Sequence, residues 1–339
     1  MGTSQTQVRR RRASWRHAAA LIAAIVVAGL VAFALSRLGL NRIGHALITA
    51  NPGWLVLATA LMGLSLLMRA LSWHETLRAA LPEVPIGRAP VVRATMIGVM
   101  VSALFPGRMG EPSRVLVLTR RLEGPARRLL PVVAGTVFSQ TLINLLALAL
   151  LAGVTFTSVP LLNGHPLGIA TAVVVPLAAC GMVLAGPRLL ERARRARSAR
   201  VARAASTLAR MLNLARRGLV VFARPRHGTA AVAFQLLAWT LQWLACYVLL
   251  LALGLQAHGG LAAAAAILLA VNVSAVLPAT PSNVGVFQAA STTRQAAGPA
   301  LAYGIILQAV EVSTALALGV PALLREGLTW RDVRPAPDG

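Results

Sequence analysis

Residues Val101–Arg114 read VSALFPGRMGEPSR, and residues Val273–Gly285 read VSAVLPATPSNVG. Each is an apolar run cut by proline within a few residues of the same opening words. Inside a bilayer such a break leaves backbone groups without intrahelical partners. That is tolerated only where protein or a water-filled cavity supplies them. A pair of breaks in corresponding places of two chain halves points to a midplane site built from discontinuous helices.

The rest of the chain puts both breaks in a membrane. Its 339 residues are 57% apolar and 12% charged, with a mean hydropathy of +0.71, which excludes a soluble globular protein. Ala18–Ser36, Leu129–Pro166, Leu167–Pro187 and Thr229–His258 carry no formal charge. Each exceeds the roughly 18 residues needed to cross the hydrocarbon core. The net charge of +24 comes from 33 arginines and no lysine, a usage that, beside so much alanine, fits a GC-rich bacterial genome. These arginines flank the apolar spans, as topology signals facing anionic lipid headgroups do, so nucleic acid is not the expected partner. Cys180 and Cys246 both lie in apolar spans, and His74-Glu75 lacks the second histidine of a zinc-protease helix. Neither disulfide framework nor metal site is expected, and no cofactor.

Arginine placement sets the expected topology. A basic cytoplasmic tail, residues 1–17, precedes a first span, Ala18–Ser36. Ala32-Phe33-Ala34 resembles a signal cleavage site, but the length of the run favours an uncleaved span. Trp54–Leu71 returns inward. Val91–Pro106 is followed by Arg108, Arg114, Arg120, Arg121, Arg127 and Arg128. A crossing here would put that cluster outside, so the segment is expected to dip in and come back. Leu129–Phe156 exits and Leu167–Gly186 re-enters, completing a first membrane half over 18–186. The connection 187–228 holds 12 arginines against Glu191 alone and is cytoplasmic. Within it Val201, Ala205, Leu208, Leu212, Ala215 and Leu219 recur at helical steps opposite Arg203, Arg210 and Arg217, the pattern of an amphipathic helix lying on anionic headgroups. The second half, 229–324, contains Thr229–Leu255, the second break in Leu261–Pro281, and Ala300–Leu324; residues 325–339 form a cytoplasmic tail. The expected fold is an all-α polytopic bundle with about six crossings of the kind just described and two re-entrant broken helices. The breaks enter from opposite sides, so the halves would be inverted repeats. ALALLAGV at Ala147–Val154 and ALALGV at Ala315–Val320 echo one another after the two breaks.

Pro106, Gly107 and Gly110 end a helix and let the first break turn. Arg108, Glu111 and Arg114 then follow at steps of three, on one face if the next turn is helical. An ionisable group in a membrane helix normally faces a cavity and pairs, and a guanidinium matches phosphate with two parallel donors. These residues are candidates for a lipid headgroup; alternatively Arg108 and Arg114 are interface residues obeying the charge rule, with Glu111 neutralising one. In the second break Pro278, Pro281 and Gly285 supply the irregular backbone, while Thr280, Ser282, Asn283 and Gln288 offer neutral polar groups, either to a ligand or as local caps. Glu311 lies inside the last span, one turn after Gln308, as a candidate for proton coupling or for an interhelical hydrogen bond. Gln140 and Asn144 read as interhelical polar contacts.

At these residues the chain resembles the membrane domain of lysylphosphatidylglycerol synthases and its stand-alone, flippase-like relatives. FPGRMGEPSR at Phe105–Arg114 is similar to that family's Pro-x-Arg-x-Gly-Glu-x-x-Arg signature. LPATPSNVGVFQ at Leu277–Gln288 is similar to Leu-Pro-x-Thr-Pro-Gly-Gly-x-Gly-x-x-Glu. Three departures stand out. Ser282-Asn283 replaces Gly-Gly and Gln288 replaces the acid. VFSQTLINLLAL has Gln140 and Asn144 where the family usually carries charges. Gln308 and Glu311 occupy the last span, where an arginine is usual near the start.

The resemblance implies movement of a polar-headgroup lipid, a phospholipid or polyprenyl-type lipid, between leaflets of a bacterial inner membrane. The alternative is a non-catalytic partner subunit of a glycosyl- or aminoacyl-transferase that modifies lipids. With no counterpart of the synthases' aminoacyl-transferring domain, the chain is not expected to make lysyl-lipid. Without paired carboxylates, a nucleophile–base set or a metal constellation it is not expected to be an enzyme. A homo-oligomer or an enzyme partner is compatible with either reading.

Overall fold

The computed structural model describes residues 51–105, 109–122, 124, 126–158, 220–255, 260–274 and 297–327. Every regular element among them is helical: α1 Pro52–Ala80, α2 Arg88–Leu104, α3 Gly110–Thr119, α4 Ala126–Ser158, the single turn α5 Val220–Ala223, α6 Pro225–Ala252, α7 Gly260–Ser274 and α8 Ala297–Glu326. Among the described residues four stretches are long and apolar enough to cross a membrane: Pro52–Ala80, Leu129–Gly153, Pro225–Ala252 and Tyr303–Glu326. The protein is an all-α integral membrane protein. The expected spans Ala18–Ser36 and Leu167–Gly186, the amphipathic stretch 201–219, most of the second break and both tails lie outside the described residues.

Local signals set the ends of the two central helices. Asn51 caps α1 through its side-chain oxygen, which accepts from the Gly53 amide at 3.0 Å, and Pro52 occupies the first turn. Pro225 does the same for α6. Helix α1 runs past the expected end at Leu71 to Ala80, because Ser72 through Leu77 are buried against neighbouring helices.

Helices α1 and α6 form the most extensive pairing in the bundle, and small residues at every seventh position explain it. Ala58, Ser65, Ser72 and Ala79 on α1, like Ala231, Ala238, Ala245 and Ala252 on α6, are all buried. The Ser65 hydroxyl donates to the Ala238 carbonyl and that of Ser72 to the Ala231 carbonyl, both at 2.8 Å, while the Asn51 amide donates to the Ala252 carbonyl at 3.2 Å. Seven residues forward on α1 is thus seven back on α6: an antiparallel seam in register along its whole length. Lipid tails are as apolar as leucine, so helices in a bilayer associate through close packing and hydrogen bonds, which small residues permit.

The first break is a helical hairpin. Helix α2 ends at Leu104, and α3 starts at Gly110 and folds back against it. The backbones touch: a Cβ on Gly110 would lie 2.0 Å from the Gly98 carbonyl oxygen and 2.2 Å from Ser102 Oγ, and one on Gly98 would lie 3.0 Å from Arg114 Cβ. The expected fold-back of this segment is present, but Gly110, expected to help end a helix and turn the chain, instead opens α3 and admits the Gly98 backbone. Pro106, Gly107 and Arg108, at the tip, lie outside the described residues. Helix α8 packs against α2, where a Cβ on Gly319 would meet Met100 Cβ at 2.4 Å.

Element positions recur along the chain. Helices α1 and α6 start 173 residues apart (52 and 225) and end 172 apart (80 and 252); α2 and α7 start 172 apart (88 and 260), and α4 and α8 start 171 apart (126 and 297). The packing recurs too: α8 lies against α2, and α4 against α7.

Candidate functional site

Arg114 is the centre of the described polar cluster. It leaves the second turn of α3 and is only 9% exposed, so it is not a solvent-facing interface arginine. Its Nη2 donates to Glu111, one turn earlier, as the spacing of three required. Its Nη1 donates to Gln140 Oε1 of α4 at 2.8 Å, and its guanidinium stacks over the Trp73 ring of α1, 4.7 Å from the centroid. The Trp73 indole donates to Thr136 Oγ1 at 3.0 Å, which pins the ring.

Gln140 carries the cluster across to α1: its Nε2 donates to the Arg69 carbonyl at 2.8 Å. Arg69 sits in the middle of the small-residue seam. Its Nη2 donates to Gln242 Oε1 of α6, and its guanidinium lies 5.7 Å from the centre of the Trp239 ring. Glu311, Arg114 and Glu111 are all within Coulombic reach of Arg69. Both arginines hold one Nε–H, shut off from solvent, that meets no acceptor among the described residues.

The sequence-derived candidates divide accordingly. Glu111 and Arg114 are brought together as a pair. Gln140 ties Arg114 to α1, and Asn144 Oδ1 accepts from Gln235 Nε2 at 2.8 Å and Trp239 Nε1 at 3.0 Å, so both are the interhelical contacts expected. Glu311 is not electrostatically alone, since it lies within Coulombic reach of Arg69. Arg108, Thr280, Ser282, Asn283, Gln288, Pro278, Pro281 and Gly285 lie outside the described residues. Sequence reasoning missed Arg69, Trp73, Trp239 and Gln242. Arg69 had a signal of its own, a full charge within LSLLMRALSW, where an intramembrane ionisable group marks a site by default.

Two further polar clusters tie helix ends together. The Glu75 carboxylate accepts from His227 Nδ1 of α6 at 2.7 Å and lies 3.3 Å from His74 Nδ1, while His74 Nε2 donates to the Ile86 carbonyl at 3.0 Å. Glu326, with its side chain 1% exposed at the end of α8, pairs with Arg93 of α2 and with Arg121 just beyond α3. That clamp holds the two open ends of the hairpin to α8. Among the described residues no group of three or more His, Cys, Asp or Glu side chains could hold a metal ion.

The family model for the lysylphosphatidylglycerol synthase TM region matches residues 20–320. The chain belongs to that family. The match takes in both breaks and every described residue of the Arg69–Arg114 cluster. No curated protein and no solved structure matches the chain.

Proposed function

We propose that this protein binds a lipid by its polar headgroup and carries it between leaflets while the acyl tails stay in the bilayer. One observation carries the reading. A family member places a buried arginine, Arg114, at a helix break, held by Glu111, Gln140 and Trp73 and linked by Gln140 to a second intramembrane arginine. Charged groups at membrane depth persist where they serve a ligand or ion path.

Two further observations support it. The recurring offsets of 171–173 residues between the starts of paired helices and the antiparallel α1–α6 seam are what two inverted repeats would produce about a two-fold axis in the membrane plane. Arg69 and Gln242 are themselves 173 residues apart and touch. Gln140 and Glu311, 171 apart, both approach Arg69. The polar cluster would then lie on the repeat axis, where substrate sites of inverted-repeat transporters form. In this reading Arg108 joins Glu111 and Arg114 on the headgroup from one break. Thr280, Asn283 and Gln288 receive it at the other. The protein resides in a bacterial inner membrane with both termini cytoplasmic, acts on a phospholipid or polyprenyl-type lipid, and performs no chemistry on it.

The test is lipid scrambling in proteoliposomes. Arg114→Ala and Glu111→Ala abolish the movement of a fluorescent phospholipid while expression and incorporation persist. Wild-type rates in both variants would refute the assignment.

A further inference from the structure

Glu326 ends α8 with its side chain buried, and both partners of its carboxylate come from the α2–α3 hairpin. One oxygen accepts from Arg93 Nε, in the second turn of α2, and the other from Arg121 Nε, two residues past α3. Arg121 Nη2 also donates to the Glu326 backbone carbonyl at 2.7 Å, which caps the last turn of α8. The two limbs of the hairpin are thus tied at their open ends to one acid on a third helix. Backbone contact at Gly98 and Gly110 holds those limbs to each other, so the hairpin leaves α8 as one piece or not at all. Two turns further in on both helices, Met100 packs against Gly319. The interface that the ion pairs close therefore runs inward from them.

The other half of the chain has no such device. Corresponding helices start 171–173 residues apart. The place of Glu326 then falls at 153–155, on Gly-Val-Thr, and α4 holds no acidic residue anywhere. The place of Arg93 falls in the alanine run 264–266, and α7 carries no charge at all. Arg294 stands at the place of Arg121 in sequence, but the acid is missing from α4. We propose that Arg93, Glu326 and Arg121 form an ionic latch that shuts the cytoplasmic mouth of the lipid path, and that the opposite mouth has none. The inference rests on the transport reading above and adds which side the described conformation closes. Arg88, Arg120 and Arg325 stand at the same helix ends, the placement of a cytoplasmic face. The energetics suit a latch that opens. A buried carboxylate paired with guanidinium groups is near break-even against the same groups in water. The arginine side chains are already 30% and 48% exposed, so opening leaves only Glu326 to be moved into water. Release lets the hairpin, with Glu111 and Arg114 on it, move as a unit against α8. Removing the acid instead leaves two cations against α8 with nothing to hold them there.

The test measures sided labelling of a single cysteine in the full chain. Met100→Cys is placed in a background of Cys180→Ser and Cys246→Ser. A charged, membrane-impermeant methanethiosulfonate is then added to right-side-out or inside-out vesicles. Glu326→Gln raises the cytoplasmic labelling rate about tenfold and leaves the external rate unchanged. Arg93→Lys, which keeps the charge and loses the fork, gives a smaller rise with the same sidedness. That milder variant decides the question if Glu326→Gln does not fold. Equal rises from both faces would mark a purely structural clamp and overturn the proposal, as would unchanged cytoplasmic labelling. A second arm keeps Met100, replaces Arg93 and Glu326 by cysteines in the same background, and joins them with a bis-methanethiosulfonate. Bridging stops lipid scrambling, and a reductant restores it. The two readings fail separately. Sided labelling as expected, in a protein that never scrambles lipid, would sink translocation alone. Scrambling that persists through the bridge would sink the latch alone.

Discussion

Gly110→Ala adds one methyl group at the tightest point of the described structure. The new Cβ would sit 2.0 Å from the Gly98 carbonyl oxygen, 2.2 Å from Ser102 Oγ and 2.9 Å from the Gly98 carbonyl carbon. Restoring even a close C···O contact of about 3.3 Å requires α2 and α3 to part by about 1.3 Å. Overpacking typically costs about 1–3 kcal/mol where side chains can yield. Here the nearest obstacle is the backbone of another helix, so the upper end, about 3 kcal/mol, applies. Arg114 lies one turn further along α3, and the same displacement draws it from Gln140 and Trp73. Two readouts should therefore fall together: the melting temperature in detergent, by roughly 3–5 °C, and lipid scrambling at a temperature where the variant is still folded. Gly153→Ala is the internal control, because a Cβ there meets nothing within 4 Å. Alanine is also the better helix former by about 1 kcal/mol, so that variant melts with wild type or slightly above. If both substitutions gave the same melting temperature, the close approach of α2 and α3 would be wrong.

Two other outcomes test the packing around the site. Ala238→Leu forces an isobutyl group into the α1–α6 seam beside Ser65, where both residues are almost fully buried. The expected loss is about 2–3 kcal/mol, seen as a lower melting temperature, whereas Leu237→Ala, on the exposed side of the same helix, changes little. Glu75→Gln deprives His227 of its carboxylate acceptor and leaves His74 beside a neutral amide. It should destabilise the protein by about 1–3 kcal/mol, and an unchanged melting profile would show that this cluster does not hold α1 to α6.

Much of this protein was written in local pattern. The apolar lengths of Leu129–Gly153 and Pro225–Ala252 dictate spanning helices, because backbone groups in hydrocarbon must pair within their own segment. The interruption after Leu104 required a fold-back, given the arginines on both sides. The Glu111–Arg114 pair follows from a spacing of three on one helix. Arg69 was equally visible as a charge in an apolar run, and the seven-residue repeats of small residues at Ala58–Ala79 and Ala231–Ala252 were present too, but hidden in a chain rich in alanine.

What only the folded bundle decided is which of these features meet. Gln140 reaches Arg114 across 26 positions and the Arg69 carbonyl across 71, and Arg69 reaches Gln242 across 173. No helical period relates the first two separations; the third equals the offset between corresponding helices, and it becomes a contact because the small-residue seam lets α1 and α6 approach until Arg69 and Gln242 touch. Composition placed this chain in the membrane, and helix-to-helix register linked Arg114 through Gln140 to the backbone of Arg69.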